Sequence, residues 1–275
     1  MRFLAASGSD ESPIVIVGAP YEAGSSFRAG ASLGPSAIRR ASHSIESYSH
    51  ITRSDLTQIA LSDIGDMALS DVPEEMLETV RQVVGQQWRQ GKKVVLLGGD
   101  HSVTVGAVRA LVENFSDPQV VILDAHSDWR DTYDGSPWSH ACTARRIAEL
   151  VNDRLFICGT RSFFGAEDQN FFLQPEELTK RVDKKRATYL SIDLDVLDPS
   201  LCPGVGNPEP AGLSYQDVLR LILGLSSLPI VGMDLVELHP LYDPSEVSAV
   251  VAAKLIQEAI LAFWRQGRKT DEEVF

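Results

Sequence analysis

The chain has 275 residues, 44% of them hydrophobic, and a formal net charge of -13. That length supports a sizeable core, and the acidic excess argues against nucleic acid and for cationic small molecules or metals. Its three cysteines, Cys142, Cys158 and Cys202, form no CxxC pair, and no apolar stretch approaches the ~20 residues of a membrane helix or forms a signal peptide, so a cytoplasmic protein without zinc ribbon, disulfide framework or membrane contact is expected.

Taken in chain order, the first predicted strand is residues 14–17, IVIV. A weaker one covers 58–61. A helix over 71–90 opens on Asp71, Pro73 and Glu74, which resembles a capping arrangement, and Gly91 follows its end. Strand 94–97 leads through GGDHS into helix 104–113. Strand 120–123 leads into DAHSDWR, and helix 140–151 and strand 155–158 follow. Strand 189–192 ends in SIDLD, helix 215–225 precedes strand 230–233, and helix 246–265 comes last before a polar tail from about 268. The strands are continuous apolar runs, as in a parallel sheet buried on both faces. Alternating strands and helices predict a three-layer α/β/α sandwich around a mostly parallel sheet. With no linker in sight, one domain over residues 1–275 is expected.

In open α/β sheets the ligand site lies at the carboxyl ends of the strands. His101, Asp124, Asp193 and Glu237 each follow a different apolar run there. Asp124, His126 and Asp128 recur at every second position, as do Asp193 and Asp195. If the chain stays extended, each set points to one side. Four buried carboxylates need positive charge, since an unpaired one costs several kcal/mol, and a pair of divalent cations is the simplest supply. Six ligands exceed what one catalytic zinc takes, usually about three plus water. The mixed oxygen and imidazole set suits manganese. A shared water would then lose its proton near neutral pH. The remaining histidines His43, His50 and His239 read as ordinary surface or core residues.

GGDHS, DAHSD and SIDLD resemble the three signature segments of the ureohydrolase (arginase/agmatinase) family. Residues 18–42, the proline-glycine loop 203–213 and GMDLVELHP (232–240) extend the likeness over most of the chain. The resemblance implies an arginase-like fold, a homo-oligomer (trimer or hexamer) and two Mn²⁺ per subunit. It implies that His101 and Asp128 bind one metal, His126 and Asp195 the other, and that Asp124 and Asp193 bridge both. It also implies that His140 passes a proton to the leaving amine, and that Glu237 pairs with the substrate guanidinium.

The substrate tail rests on WRDTYDGSPWSHA (129–141). The arginases of the family hold an α-carboxylate with a loop rich in Asn, Thr and Ser; here Asp131 and Asp134 would repel one. The loop and the PEP of 208–210 resemble short prokaryotic agmatinases. Agmatine, a dication, is therefore the expected substrate, giving putrescine and urea in polyamine biosynthesis. Asn207 stands where the family has threonine, near the guanidinium end, which leaves aminopropylagmatine open. Arg130 pairs with a loop acid or receives an acid-tailed substrate such as guanidinobutyrate; arginine ranks below. A single-zinc amide hydrolase of the deacetylase type would use paired histidines, where GGDHS supplies one. A silent homologue would have lost ligands, and none is lost.

Overall fold

The computed structural model describes residues 1–8, 11–23, 26–165 and 171–265; the predicted tail from about 268 lies outside them. In chain order the elements are β1 (Ile14–Ala19), α1 (Gly34–Ser42), β2 (Tyr48–Ser49), β3 (Ser54–Asp55), β4 (Leu61–Asp66), α2 (Pro73–Arg89), β5 (Lys93–Gly98), α3 (Val103–Asn114), β6 (Gln119–Leu123), α4 (Thr143–Val151), β7 (Leu155–Cys158), β8 (Phe172–Leu173), α5 (Pro175–Arg181), β9 (Thr188–Asp193), α6 (Tyr215–Gly224), β10 (Ile230–Val236) and α7 (Val247–Trp264). Eight strands form one sheet in the order β4-β1-β5-β10-β9-β6-β7-β8, with every neighbouring pair parallel. β2 and β3 form a separate antiparallel ribbon.

Helices cover both faces, as the continuous apolar runs require. Val95, Leu97, Val121, Leu123, Leu190, Ile192, Met233 and Leu235 pack against α1, α5, α6 and α7. Their sequence neighbours Val94, Leu96, Val120, Ile122, Tyr189 and Val236 pack against α2, α3 and α4. This is the period-two alternation of a strand, buried on each side. The α/β/α sandwich expected from the sequence is the fold observed. α7 is long and apolar enough to cross a membrane, but 72% of it is buried inside the protein. Its Phe263 is buried, and its Trp264 indole donates to the Ile230 carbonyl at 3.0 Å.

Three local expectations fail. The strand expected at 58–61 starts only at Leu61, because a 3-10 turn, Leu56–Gln58, precedes it. Asp71 does not cap α2: the cap position is Val72, no side chain bonds there, and Pro73 opens the helix with acidic Glu74 and Glu75 in its first turn. Proline at that position has no N–H to satisfy, and the acids favour the positive end of the helix dipole. His140 lies outside α4, in a 3-10 turn (His140–Cys142), and no side chain caps either helix.

Candidate metal centre and active-site cleft

The four central strands, β5-β10-β9-β6, each end in a polar group on the same edge of the sheet. His101 follows β5, Glu237 follows β10, Asp193 ends β9, and Asp124 follows β6. The Gly98-Gly99 turn allows the first of these, since a side chain on Gly99 would lie 1.9 Å from the Tyr21 carbonyl oxygen. The chain does not stay extended beyond the strands. Asp128 and Glu237 adopt left-handed φ of 45° and 62°, and Leu194–Val196 forms a 3-10 turn in which Asp193 accepts from the Asp195 N–H. These turns, not alternation, bring the ligating groups together.

Among the described residues two groups of potential ligands result, His101–Asp124–Asp128 and Asp124–His126–Asp195. His101 Nδ1 lies 3.1 Å from Asp124 Oδ2, 3.2 Å from Asp128 Oδ2 and 3.3 Å from Asp193 Oδ2. His126 Nδ1 lies 2.7 Å from Asp195 Oδ2 and 3.8 Å from Asp124 Oδ1. Asp124 thus turns one oxygen to each histidine. Asp193 reaches the His101 side, while its Oδ1 accepts from the Asp195 N–H at 2.9 Å. His101 Nδ1 and Asp124 Oδ2 are buried without any hydrogen-bond partner. Unsatisfied buried polar atoms are costly, and a cation between a ring nitrogen and a carboxylate oxygen would satisfy both. The residues fit a metal.

The electrostatics agree. Burial, then the charges of Asp128 and Asp195, push Asp124 up to about 7. Burial, then Asp195 and Asp124, push Asp193 well above the usual carboxylate range. Burial pulls His126 down, but its bond to Asp195 outweighs this and holds it at about 10. Burial likewise opposes the charge on His101, yet Asp124, Asp128 and Asp193 hold its pKa well above normal. Without cations the cluster retains protons in their place.

Above the cluster lies a cavity of about 370 Å³, lined among others by His126, Asp128, Arg130, His140, Asn207, Glu209 and Glu237. His140 packs against the Tyr133 ring at 5.9 Å. Arg130 lies 3.8 Å over the Phe164 ring and 5.4 Å from that of Tyr133. Asn207 donates to Ser26 Oγ at 2.8 Å, joining the N-terminal segment to the proline-glycine loop. Two loop acids stand elsewhere. Asp131 accepts from Arg146 at 2.9 Å with its side chain 67% exposed. Asp134 sits in an exposed turn at φ 48°. Neither lines the cavity; for Asp131, α4 supplies the arginine that draws it outward.

Other residues of the site are not among those singled out from the sequence. His239 is buried against Glu237, with Nε2 2.9 Å from Oε2, and Glu237 Oε1 accepts from the His101 N–H at 2.7 Å. Burial works to raise Glu237, but the His239 bond outweighs it and keeps the carboxylate below its usual pKa. The i, i+2 spacing of Glu237 and His239 was the available signal. Arg161 donates to the carbonyls of Asp195 (2.8 Å), Glu209 (2.7 Å) and Pro210 (2.9 Å), bracing a ligand turn against the cavity wall; nothing local in the sequence marks it.

The chain matches the Arginase family over residues 12–262. It is 34% identical over 272 residues to an agmatinase of Halalkalibacterium halodurans, covering 94% of each chain. It is 35% identical over 286 residues to an N(1)-aminopropylagmatine ureohydrolase of Thermococcus kodakarensis, covering 94% of this chain and 93% of that one. Its fold superposes on the crystal structure of the agmatine ureohydrolase of Thermoplasma volcanium with a TM-score of 0.88 at 37% identity, covering 95% and 93% of the two chains. With a parallel eight-stranded sheet and clustered Asp and His groups that could bind metal, the chain belongs to the arginase family and is a hydrolase acting on guanidino groups.

Proposed function

We propose that the protein hydrolyses agmatine to putrescine and urea in the cytoplasm, with two Mn²⁺ held by His101, Asp124, His126, Asp128, Asp193 and Asp195. The observation that carries the substrate is the cavity wall: Glu209 and Glu237 both line it, and among the described residues no ion pair or hydrogen bond holds the Glu209 carboxylate. Agmatine carries a guanidinium at one end and an ammonium at the other, so each carboxylate has a cation to meet. This argument replaces the one from Asp131 and Asp134. Relatives named agmatinase and aminopropylagmatine ureohydrolase support it.

Glu237 would receive the guanidinium. One bond to each of its oxygens, from His101 N–H and His239, fixes its orientation, and each oxygen keeps a lone pair for the two parallel N–H groups of a guanidinium. Bound divalent ions supply Lewis acidity and a water that deprotonates near neutral pH. His140, at the cavity wall and only partly buried, passes a proton to the departing amine. The carbon–nitrogen bond to the tail breaks, the water oxygen stays with the carbon as urea, and the tail leaves as a diamine. His140→Asn is expected to lower kcat by about 10²-fold with metal content unchanged, checked by steady-state kinetics beside elemental analysis.

Arg130 favours a second reading. It lines the cavity with aromatic neighbours and, among the described residues, no carboxylate partner, which suits an acid tail such as that of guanidinobutyrate. A urea-release assay with manganese across agmatine, aminopropylagmatine, arginine and guanidinobutyrate decides. Agmatine is expected to have the highest kcat/KM. A preference for arginine or guanidinobutyrate would make Arg130 the tail-binding residue, and a preference for aminopropylagmatine would lengthen the tail subsite past Glu209.

A further inference from the structure

Beneath the ligand edge, a polar column interrupts the apolar strands. Ser191 in β9 and Asp234 in β10 are register partners on neighbouring strands, so their side chains leave the sheet on one face. It is the face of Tyr189, two residues before Ser191, and it is covered by α3, which contributes Thr104. Tyr189, Ser191, Thr104 and Asp234 are all 0% exposed. A carboxylate there costs several kcal/mol to bury, and an apolar residue would fill the layer as well.

The hydrogen bonds have a forced direction. Tyr189 and Thr104 both donate to Asp234 Oδ2, at 2.9 Å and 2.8 Å. A hydroxyl has one proton, so Thr104 can then only accept, and its neighbour at 3.4 Å is Ser191 Oγ. Ser191, its proton given to Thr104 or to the Asp234 carboxylate that it also faces, can in turn only accept, and its neighbour at 3.1 Å is His101 Nε2. The hydrogen of a neutral His101 ring therefore sits on Nε2. Its Nδ1 presents a lone pair, and that is the unpartnered atom facing Asp124, Asp128 and Asp193.

We infer that Asp234 is a positioning residue: acting through Thr104 and Ser191, it fixes the tautomer of His101 so that Nδ1 is held ready for a cation. The inference rests on His101 being a metal ligand. A column that merely pins α3 to the sheet would affect stability and leave metal affinity alone.

Manganese titration calorimetry on metal-stripped protein separates the two. Thr104→Val keeps the shape of the side chain and breaks the chain of donors; it is expected to weaken manganese binding roughly 10–100-fold. Thr104→Ser, which restores the hydroxyl, is expected to bind as the wild type does. Asp234→Asn should weaken binding in the same direction, and if it fails to fold, Ser191→Ala, which removes the acceptor of His101 Nε2, takes its place. Wild-type affinity in Asp234→Asn, or in Ser191→Ala where that takes its place, with or without a lower melting temperature, overturns the inference; wild-type affinity in Thr104→Val alone removes Thr104 from the chain of donors and leaves the direct Ser191–Asp234 contact. His101→Asn is run alongside. If it also binds manganese normally, the ligand assignment itself has failed and the inference falls with it; if it binds weakly while the Asp234 or Ser191 variant does not, the relay alone is wrong.

Discussion

Asparagine in place of Asp124 is expected to cut urea release by about 10³-fold, the rate equivalent of several kcal/mol of lost Lewis-acid stabilisation. Asp124 turns one oxygen to His101 and the other to His126, so an amide takes one anionic ligand from the centre, leaving one group with Asp128 and the other with Asp195. The fold should survive. In the metal-free protein the substitution should even help, because burial and neighbouring charge already push the Asp124 carboxyl up to about 7. The expected signature is thus a metal-free melting temperature equal to or above wild type, with a smaller rise on adding manganese. Full activity with full metal content in Asp124→Asn would remove Asp124 from the centre of the site.

Chelation is expected to abolish urea release, manganese to restore it, and the loss of stability on chelation to grow with pH. Each ion present at a hundredfold excess over its dissociation constant stabilises by about 2.7 kcal/mol, or roughly 5–10 °C of melting temperature in a chain of this size. The sign follows from the titrations of the metal-free state. Asp124 ionises near 3.8 when unfolded and about 7 when folded; between those values the unfolded chain holds fewer protons, so stability falls as pH rises. His126 moves from 6.5 to about 10 on folding; its contribution is complete below 6.5 and is lost as pH rises through 10. Both effects weaken the metal-free protein on the alkaline side. Metal binding, which needs these ligands deprotonated, strengthens in the same direction. Differential scanning calorimetry of loaded and stripped protein at about pH 5, 7 and 9 should show a widening gap. A constant gap would mean that these groups do not bind the ions.

The central strands were legible because a parallel sheet buried on both faces writes itself as uninterrupted apolar runs, and VVLLG, VVILD, YLSID and VGMDL are such runs. The clustering of Asp and His side chains at one edge of the sheet was legible because these residues stand where those runs stop. Short or polar elements were not: α5, PEELTKR, has seven residues and little apolar periodicity, and α1 carries Gly34 and Pro35 at its start. Of the residues expected at the substrate tail, Arg130 and Asn207 line the cavity, while Asp131 and Asp134 stand away from it for a different reason. Whether Asp131 faces the cavity depends on Arg146, one helix away in sequence and adjacent only in space. His239 was passed over as an isolated histidine, although its spacing from Glu237 was visible. Ser191 and Asp234 were hidden by their setting, since a single polar residue inside an apolar strand looks like noise until its register partner is known.

The position of β10 has a consequence for synthesis. It lies between β5 and β9, joining the β4-β1-β5 set to the β9-β6-β7-β8 set, yet it is the last strand of the sheet in sequence. Until residues 230–236 have left the ribosome, the nascent chain holds two part-sheets with unpaired inner edges. His101 would then belong to one part, and the four aspartates with His126 to the other. The Asp124–His126–Asp195 group can form within one part, but the His101–Asp124–Asp128 group spans both, so completion of that group is coupled to closure of the sheet and comes late in synthesis.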